Sequence, residues 1–355
     1  MRKEAAMDTD RFGNPFAPGL PYARGRILTS TEDDIAKLGR AWRIIERRMQ
    51  KDGPESVFNF SGLERSLPLE ARELPFADDE IAPALYGERL RDLALEHLGG
   101  SSRVHDVMLF NRLTAATIAT HLALVKDGDV VVGVSPSYSH PTLVRAATHV
   151  GARFVDTSSL DSLQTALERE GRVTLVALTR LAVTYDLLPL EVIREVVRLA
   201  HEKGALVYVD DAGGARVGPA VFAQPKMLEL GVDVGATGLD KYGTSGPRLG
   251  LLAGERRLVE KIRARAFEFG LEARPMLYPA AVRSLEGYTP ERVRDLVNAT
   301  KQVAAALAML LLEDHGILTV HFAGLPPGTS SLLSRTTGSS PSTSPACRRG
   351  HPACS

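Results

Sequence analysis

The chain has 355 residues with 43 basic and 43 acidic side chains, so its formal net charge is zero. This balance gives no electrostatic footprint for nucleic acid or an anionic membrane, and no stretch approaches the ~20 apolar residues that span a bilayer. Cys347 and Cys354 both lie near the end of the chain, so we expect neither a disulfide framework nor a cysteine metal site in the folded body, and no metal elsewhere. The N-terminus lacks the apolar core of a secretory signal. We therefore expect a cytoplasmic protein with one large domain and a smaller companion.

The first hundred residues predict an arm followed by helices. Residues 1–30 are rich in charge, Pro and Gly, which is typical of a flexible arm. Residues 31–100 form an N-terminal helical segment. Its first helix carries an apolar stripe at alternating spacings of three and four, which we expect to pack on the body or on a partner subunit: Ile35, Leu38, Trp42, Ile45 and Met49. A second helix is predicted at 79–98, and it closes at two glycines.

From residue 101 to 288 the pattern alternates between strands and helices. Strands are predicted at 106–110, 129–134, 152–156, 173–179, 205–209, 232–236 and 249–253. Helices are predicted between them at 114–126, 141–150, 160–170, 189–203 and 220–230. Short apolar runs joined by helices indicate an α/β fold in which a mainly parallel seven-stranded sheet lies between helices. Ligands bind such sheets beyond the carboxyl ends of the strands, so the candidate site residues are those that end or follow a strand.

Four stretches that follow strands carry side chains suited to a flat, phosphorylated ligand. Residues 111–116 open a helix whose free N–H groups, with Thr114 and Arg112, suit a phosphate, although an ordinary capped turn explains them equally well. Residues 135–141 place an aromatic ring, Tyr138 or His140, beside the same edge.

The other two stretches supply an acid and an amine. Asp210 and Asp211 follow the fifth strand and precede four small residues, a pattern that a helix cap explains only in part. Residues 232–254 then hold Lys241 in a turn before a Gly/Pro-rich loop. A partly desolvated lysine there suits attack on a carbonyl, whereas Lys241 considered alone reads as a solvated loop residue.

In this order, the four stretches resemble the fold-type I pyridoxal phosphate (PLP) enzymes. The resemblance implies that Lys241 forms the Schiff base, that Asp210 pairs with the pyridinium nitrogen, and that His140 stacks on the ring above Ala212. It further implies phosphate contacts from Arg112, Thr114 and Ala115, with a hydroxyl added by Thr237. Thr179 or Arg180 reaches the 3-hydroxyl of the ring. For anionic groups of the cofactor or substrate, the candidates are Arg248, Arg274 and Arg180.

A narrower resemblance is to the L-seryl-tRNA(Sec) selenium transferase (selenocysteine synthase)-like branch. It rests on FNFSGLERSLPL, FNRLTAATIATHLAL, LDKYGTSGPRLGLLAG and GLEARPMLYPAAVRSLEGY. This branch implies β-elimination or β-replacement on a serine-like amino or aminoacyl substrate. tRNA enters as a partner by this resemblance only, and a homodimer or higher homo-oligomer follows from the fold type.

The C-terminal part departs from the family pattern. Residues 289–323, with a helix at 291–314 and a strand at 317–322, predict the start of a small C-terminal domain. Residues 324–355 are rich in Ser, Thr, Pro and Gly, which is typical of a disordered tail. We therefore expect a truncated small domain. The alternatives to the predicted reaction are an aminotransferase or a desulfurase/lyase on the same fold, and a catalytically silent partner or tRNA-binding subunit.

Overall fold

The computed structural model describes residues 31–59, 63–182 and 184–315. Its contacts divide the chain into two units, Met1–Ser61 and Gly62–Ser355. The predicted N-terminal arm, the strand at 317–322 and the tail lie outside the described residues.

The first unit contains one long helix. The predicted amphipathic helix is confirmed as α1 (Thr31–Asp52), and a short 3₁₀ turn, Pro54–Ser56, follows it. The packing surface predicted for its apolar stripe stays a prediction.

The second unit contains a seven-stranded sheet and nine helices within its described residues. The strands are β1 (His105–Phe110), β2 (Val130–Val134), β3 (Arg153–Thr157), β4 (Leu175–Thr179), β5 (Leu206–Asp210), β6 (Val234–Gly238) and β7 (Gly250–Glu255). The helices are α2 (Ile81–Leu98), α3 (Leu113–Leu124), α4 (Pro141–His149), α5 (Leu160–Arg169), α6 (Leu190–Glu202), α7 (Gly214–Phe222), α8 (Arg256–Phe269), α9 (Tyr278–Glu286) and α10 (Pro290–His315). None of these described helices, nor α1, combines the length and apolar character needed to cross a bilayer.

The sheet is mainly parallel, as predicted. Its strand order is β1-β7-β6-β5-β4-β2-β3. The four neighbouring pairs from β6 to β3 are parallel, whereas β7 runs antiparallel to both β1 and β6. All seven predicted strands are confirmed to within two residues at each end.

The strands have continuous apolar sequences because both of their faces are buried. In β2, Val130 and Val132 join one core cluster together with residues of α2, α5, α6 and α9. The alternate residue Val131 joins the opposite cluster with residues of α3, α4 and α8. Alternation along each strand therefore fills two cores, one on each side of the sheet.

One predicted helix is wrong and two were missed. The sequence predicts a helix at 220–230, but α7 begins at Gly214, ends at Phe222 and is followed by a short 3₁₀ turn, Met227–Leu230. The glycines at the start of α7 and Pro219 within it weaken its local helical signal. Neither α8 nor α9 was predicted, although both have buried apolar faces.

Candidate active site

Three neighbouring strands end side by side at one edge of the sheet and form the base of a cavity. Thr179, the last residue of β4, is the cross-strand partner of Asp210, the last residue of β5, and Asp210 is next to Ala236 of β6. The cavity has a volume of about 280 Å³. It is lined by His140, Thr179, Leu181, Ala182, Tyr185, Asp210, Ala212, Gly213, Lys241 and Tyr242. The structure thus brings together five of the residues predicted from the sequence.

Lys241 lies in a tight turn just beyond β6. The Thr244 hydroxyl donates to the Lys241 carbonyl at 2.8 Å, which fixes the turn, and Gly243 has a φ of 92° that glycine adopts readily. Burial lowers the pKa of the Lys241 amine, while the carboxylates of Asp210 and Asp240 oppose this change. A lysine with a lowered pKa is more often a free amine and hence a nucleophile.

Tyr242, the residue after the lysine, is held in a left-handed conformation with φ at 47°. This conformation is uncommon for a bulky side chain and marks a strained site. The Tyr242 ring lies so close to Gly213 that a Cβ on that glycine would be 2.3 Å from the ring. Gly213 is therefore required by the packing of this tyrosine.

The Asp210 carboxyl is buried in the cavity floor and incompletely satisfied. Its Oδ1 atom has no hydrogen-bond partner within the described part of the chain, and neither does the hydroxyl of the adjacent Thr179. Burial raises the pKa of Asp210, while the charges of His140 and Lys241 and a hydrogen bond from the Ala212 N–H oppose the rise. Buried unpartnered polar atoms are costly, and at a cavity they indicate an absent ligand.

His140 caps helix α4 and presents its ring to the same cavity. Its Nδ1 accepts a hydrogen bond from the Thr142 N–H at 3.2 Å, so the ring carries its proton on Nε2. Burial lowers the pKa of His140, and the ring is therefore neutral at physiological pH. A neutral planar ring at this position suits stacking on a flat ligand.

The start of helix α3 forms a positive region near the antiparallel end of the sheet. Arg112 precedes α3, and a Cβ on Gly250 would be 2.7 Å from the Arg112 carbonyl, so glycine permits this close approach. Partial burial and the like charges of Arg112 and Arg65 lower the pKa of Arg248. A helix N-terminus beside several arginines suits a phosphate.

Residues 63–66, which lie between the two predicted N-terminal helices and which we call the connector, are attached to the lysine loop. Leu63 forms an isolated bridge with Lys241, and the N–H of Ser66 donates to the Gly246 carbonyl at 3.2 Å. Arg65 forms an ion pair with the buried Asp240 at 2.9 Å. The connector therefore stabilises the loop that carries the lysine.

Two predicted site residues, Arg180 and Thr237, are buried and do not line the cavity. Arg180 has no exposed surface, and its guanidinium pairs with Asp211 and donates to Gln224 and to the Pro225 carbonyl. Arg180 therefore does not line the cavity, and its predicted substrate and ring contacts stay predictions. Thr237 is also fully buried, with its hydroxyl bonded to Arg216 and to the Ala212 carbonyl.

The roles of the remaining predicted site residues stay predictions. Of the two threonines named for the site, Thr179 lines the cavity, whereas Thr237 lies behind it, bonded to Arg216 and Ala212. Arg274 does not line the cavity, since its largely exposed side chain pairs with Asp79. Its substrate role stays a prediction, as do the roles of Arg248 and of the Arg112, Thr114 and Ala115 group.

Sequence reasoning missed several residues that shape the site. Tyr242 directly follows the lysine and could have been noticed for that reason. Tyr185, which also has a positive φ, at 67°, reaches the cavity through a turn closed by the bridge between Leu181 and Leu187. Nothing in the sequence pattern indicates that turn.

Comparison with known proteins establishes the family. A family model described as Cys/Met metabolism PLP-dependent enzyme matches residues 95–339, which is more than half of the chain. The chain belongs to this family. Its cofactor is pyridoxal phosphate.

Relatives of this PLP family member are similarly described. A UPF0425 pyridoxal phosphate-dependent protein of Methanothermobacter thermautotrophicus is 29% identical, over 86% of this chain and 88% of that protein. A protein of the same description from Methanosphaera stadtmanae is 30% identical, over 76% and 68%. The crystal structure of alanine–glyoxylate aminotransferase from Nostoc sp. has a TM-score of 0.51 at 20% identity, covering 75% of this chain and 78% of that one. This last likeness supports the fold alone.

The cavity of this family member fits pyridoxal phosphate. The unpartnered Oδ1 of Asp210 and the unpartnered hydroxyl of Thr179 offer polar contacts to the edge of a pyridine ring. His140 and Ala212 supply an aromatic and a small surface for its faces, and Lys241 supplies the amine. The donor set therefore matches the cofactor.

Proposed function

We propose that the chain catalyses β-elimination or β-replacement on a serine-like amino substrate, as the selenocysteine synthase-like branch of PLP enzymes does. The observation that carries the proposal is the cavity that joins Lys241, His140 and the unpartnered carboxyl oxygen of Asp210. When bound, pyridoxal phosphate withdraws electrons from the α-carbon of an amino substrate.

Lys241 has two roles in this proposal. Its Nζ atom is the point at which the cofactor is covalently held, and as a free amine it accepts the proton of the substrate α-carbon. The lowered pKa caused by burial supports both roles, because each requires the neutral amine. The Tyr242 ring beside it restricts the access of water and orients the lysine turn.

Asp210 and His140 prepare the cavity for the ring. Asp210 would pair as a carboxylate with the protonated ring nitrogen; burial raises the pKa of this carboxyl, and the positive charge of the bound ring would favour its ionised form. His140 covers one face of the ring as a neutral aromatic group. The N-terminus of α3, with Arg112, Thr114 and Ala115, binds the phosphate.

Two of the stretches that carry the narrower resemblance are neighbours in the structure. Residues 63–66, from FNFSGLERSLPL, bond to the loop of LDKYGTSGPRLGLLAG through the Asp240 and Gly246 backbones. Their contact supports the view that these stretches form one functional unit. It favours the selenocysteine synthase-like reading over an unrelated use of the fold.

The alternative on the same fold is an aminotransferase or a desulfurase/lyase. The description of the matching family, Cys/Met metabolism, favours sulfur-containing amino substrates. Incubation with serine, phosphoserine and cysteine separates the candidates. Elimination releases a keto acid and ammonia without an amino acceptor. Desulfuration of cysteine leaves alanine and passes the sulfur to an added thiol acceptor, whereas transamination requires a keto-acid acceptor. PLP binding without turnover of any substrate would instead favour a catalytically silent partner or tRNA-binding subunit.

The proposal includes the assembly and location of the protein. We place it in the cytoplasm, as a homodimer or higher homo-oligomer, with a small amino acid or an aminoacyl group as substrate. Gel filtration with light scattering measures the first point. Comparing free serine with seryl-tRNA as substrate measures whether tRNA takes part.

Replacement of Lys241 tests the proposed function directly. Lys241→Ala should lose the visible absorbance of lysine-bound cofactor, and turnover should fall by about 10²–10⁴-fold or more, because the amine and base are both removed. Borohydride reduction followed by peptide mass spectrometry locates the cofactor in the unmodified protein. Lys126→Ala, at an exposed lysine, is the matched control and should leave both readouts unchanged. Cofactor found on another lysine would contradict the proposal.

A further inference from the structure

A second buried arginine lies below the cavity and has no role in the proposed function. Arg216 is the third residue of α7, the helix that follows Asp210, and it has no exposed surface. Its side chain points to the end of β6, the strand that leads to Lys241, as its bonds to Thr237 and Gly238 show.

The Arg216 guanidinium joins two pieces of backbone that support the cofactor cavity. Its Nη2 donates to the Ala212 carbonyl at 3.1 Å, to the Thr237 hydroxyl at 2.9 Å and to the Gly238 carbonyl at 2.5 Å. Ala212 lines the cavity, and Gly238 is three residues before Lys241. One side chain therefore fixes the cavity floor to the base of the lysine turn.

The positive charge of Arg216 is not balanced by a direct ion pair. Within the described residues no carboxylate pairs with it, and its Nε has no hydrogen-bond partner. The two carboxylates that attract it, Asp211 and Asp240, are each engaged by another arginine, at 3.3 Å and 2.9 Å. An unpaired buried cation is costly for stability, so the Arg216 charge is not explained by a structural ion pair among the described residues.

The remaining polar contact of Arg216 is neutral. Its Nη1 donates to His97 Nε2 at 3.3 Å, and the His97 ring packs edge-on against Tyr288 with ring centroids 4.5 Å apart. Because arginine can only donate, His97 must accept and stay uncharged. His97 therefore holds the guanidinium in place without neutralising it.

We propose that Arg216 is a positioning residue for Lys241, whose guanidinium ties the floor of the cavity at Ala212 to the end of β6 and adds an unpaired positive charge below the lysine turn. The assignment rests on the proposed role of Lys241 as the cofactor-binding amine. It goes beyond that role because Arg216 itself does not line the cavity.

Four charged side chains and one neutral histidine face Lys241, and together with burial the charges set its protonation. They are Asp210 on β5, Asp240 in the same loop, Arg216 on α7, Arg248 before β7 and His140 at the start of α4. The two carboxylates favour the ammonium form, whereas burial and the two arginines favour the free amine. Removal of the Arg216 charge alone should therefore shift the balance toward the ammonium form.

Competitive acetylation of the cofactor-free full chain measures this balance. Acetic anhydride reacts only with free amines, and mass spectrometry follows acetylation of Lys241 as a function of pH. Arg216→Met should move the midpoint for Lys241 to higher pH. Arg216→Lys keeps the charge and should leave the midpoint near that of the parent. Both variants should bind PLP at least about tenfold more weakly, because the forked contact to Ala212, Thr237 and Gly238 is lost.

A purely structural role for Arg216 gives a different result. It would weaken PLP binding in both variants without separating their Lys241 midpoints, and this outcome would overturn the electrostatic part of the proposal. If Arg216→Met does not fold, as judged by circular dichroism, Arg216→Lys decides alone, since parent-like PLP affinity would overturn the positioning role. Borohydride mapping of the cofactor tests the proposed role of Lys241 separately, because the acetylation midpoint requires no bound cofactor.

Discussion

Two fully buried arginines, Arg180 and Arg216, lie below the turn that follows Asp210, and they are balanced in different ways. Arg180 follows β4 and pairs with Asp211 at 3.3 Å, with further bonds to the Gln224 side chain and the Pro225 carbonyl. Among the residues that the structure describes, Arg216 bonds only to carbonyls, a hydroxyl and a neutral histidine.

Arg180 belongs to a buried ion pair, whereas Arg216 is a buried charge without an ion-pair partner among the described residues. Arg180 and Asp211 cancel each other inside the fold, so their pair contributes little field at the cavity. The charge of Arg216, in contrast, acts on Lys241 and favours its free amine, as does that of Arg248. The two arginines at the carboxyl edge of the sheet are therefore equally buried but differ in the effect of their charge on the cavity.

Removing the carboxylate of the Arg180 pair should have the largest effect. Asp211→Asn leaves the Arg180 cation buried without a counter-charge, and we expect the free energy of unfolding to fall by about 3–5 kcal/mol. Chemical denaturation of the cofactor-free protein measures this change.

The control for that prediction is a double variant. Arg180→Met together with Asp211→Asn removes both charges at similar volume and should regain most of the lost stability, because desolvation of an ion pair offsets its attraction. Equal losses in the single and double variants would show that the charge balance of Arg180 is unimportant.

Each of the two arginines also bonds to a neutral side chain, and only one of these side chains can titrate. Gln224 beside Arg180 does not titrate, whereas His97 beside Arg216 does. Burial and the Arg216 charge lower the pKa of His97 from 6.5 to about 3. The unfolded chain therefore binds more protons than the folded protein between these values, and stability is lost as pH falls from 6.5 toward 3. By pH 4.5 the loss from His97 is about 3 kcal/mol.

Replacing His97 by glutamine should remove this acid sensitivity. A Gln oxygen can accept the Arg216 bond without titrating, so His97→Gln should flatten the pH dependence of stability between pH 6.5 and 4. Denaturation midpoints across this range give the slope. His149→Gln, at an exposed histidine, should keep the parental slope. An unchanged slope in His97→Gln would assign the acid sensitivity to other groups.

Much of the fold follows from the sequence because its strands are buried on both faces. Runs such as 129–134 contain little except β-branched side chains, and the burial of Val130, Val131 and Val132 in two cores gives the reason. Helix α7 did not follow, because two glycines and Pro219 weaken its local signal and tertiary packing outweighs them.

The cavity residues were predictable because topology places strand ends together. Thr179 and Asp210 are the last residues of β4 and β5, and His140, Ala212 and Lys241 lie in segments that follow strands. The sheet order brings these strand ends to one cavity. The course of a long side chain was not predictable in this way. Arg180 was predicted to face a ligand but turns into the core, because Asp211 and small residues of α7 accommodate it there.

Gly218 of α7 lies against the Arg180 guanidinium, and its replacement should have the smallest effect of these changes. A Cβ on Gly218 would lie 2.3 Å from Arg180 Nη2 and 2.6 Å from its Cζ. A flexible arginine end could normally move away, but here Asp211, Gln224 and the Pro225 carbonyl hold it. Gly218→Ala should therefore lower the free energy of unfolding by about 1–3 kcal/mol, despite the better helix propensity of alanine.

The matched control is a helical glycine with open space around it. At Gly87 in α2, an added Cβ meets nothing within 4 Å. Gly87→Ala should therefore be neutral or stabilise the protein by up to about 1 kcal/mol. Thermal and chemical denaturation compare the two variants. If the free energies of unfolding of both variants change alike, the Arg180 guanidinium has room to shift. Arg180 and Arg216 would then differ in how their charge is balanced but not in how rigidly they are held.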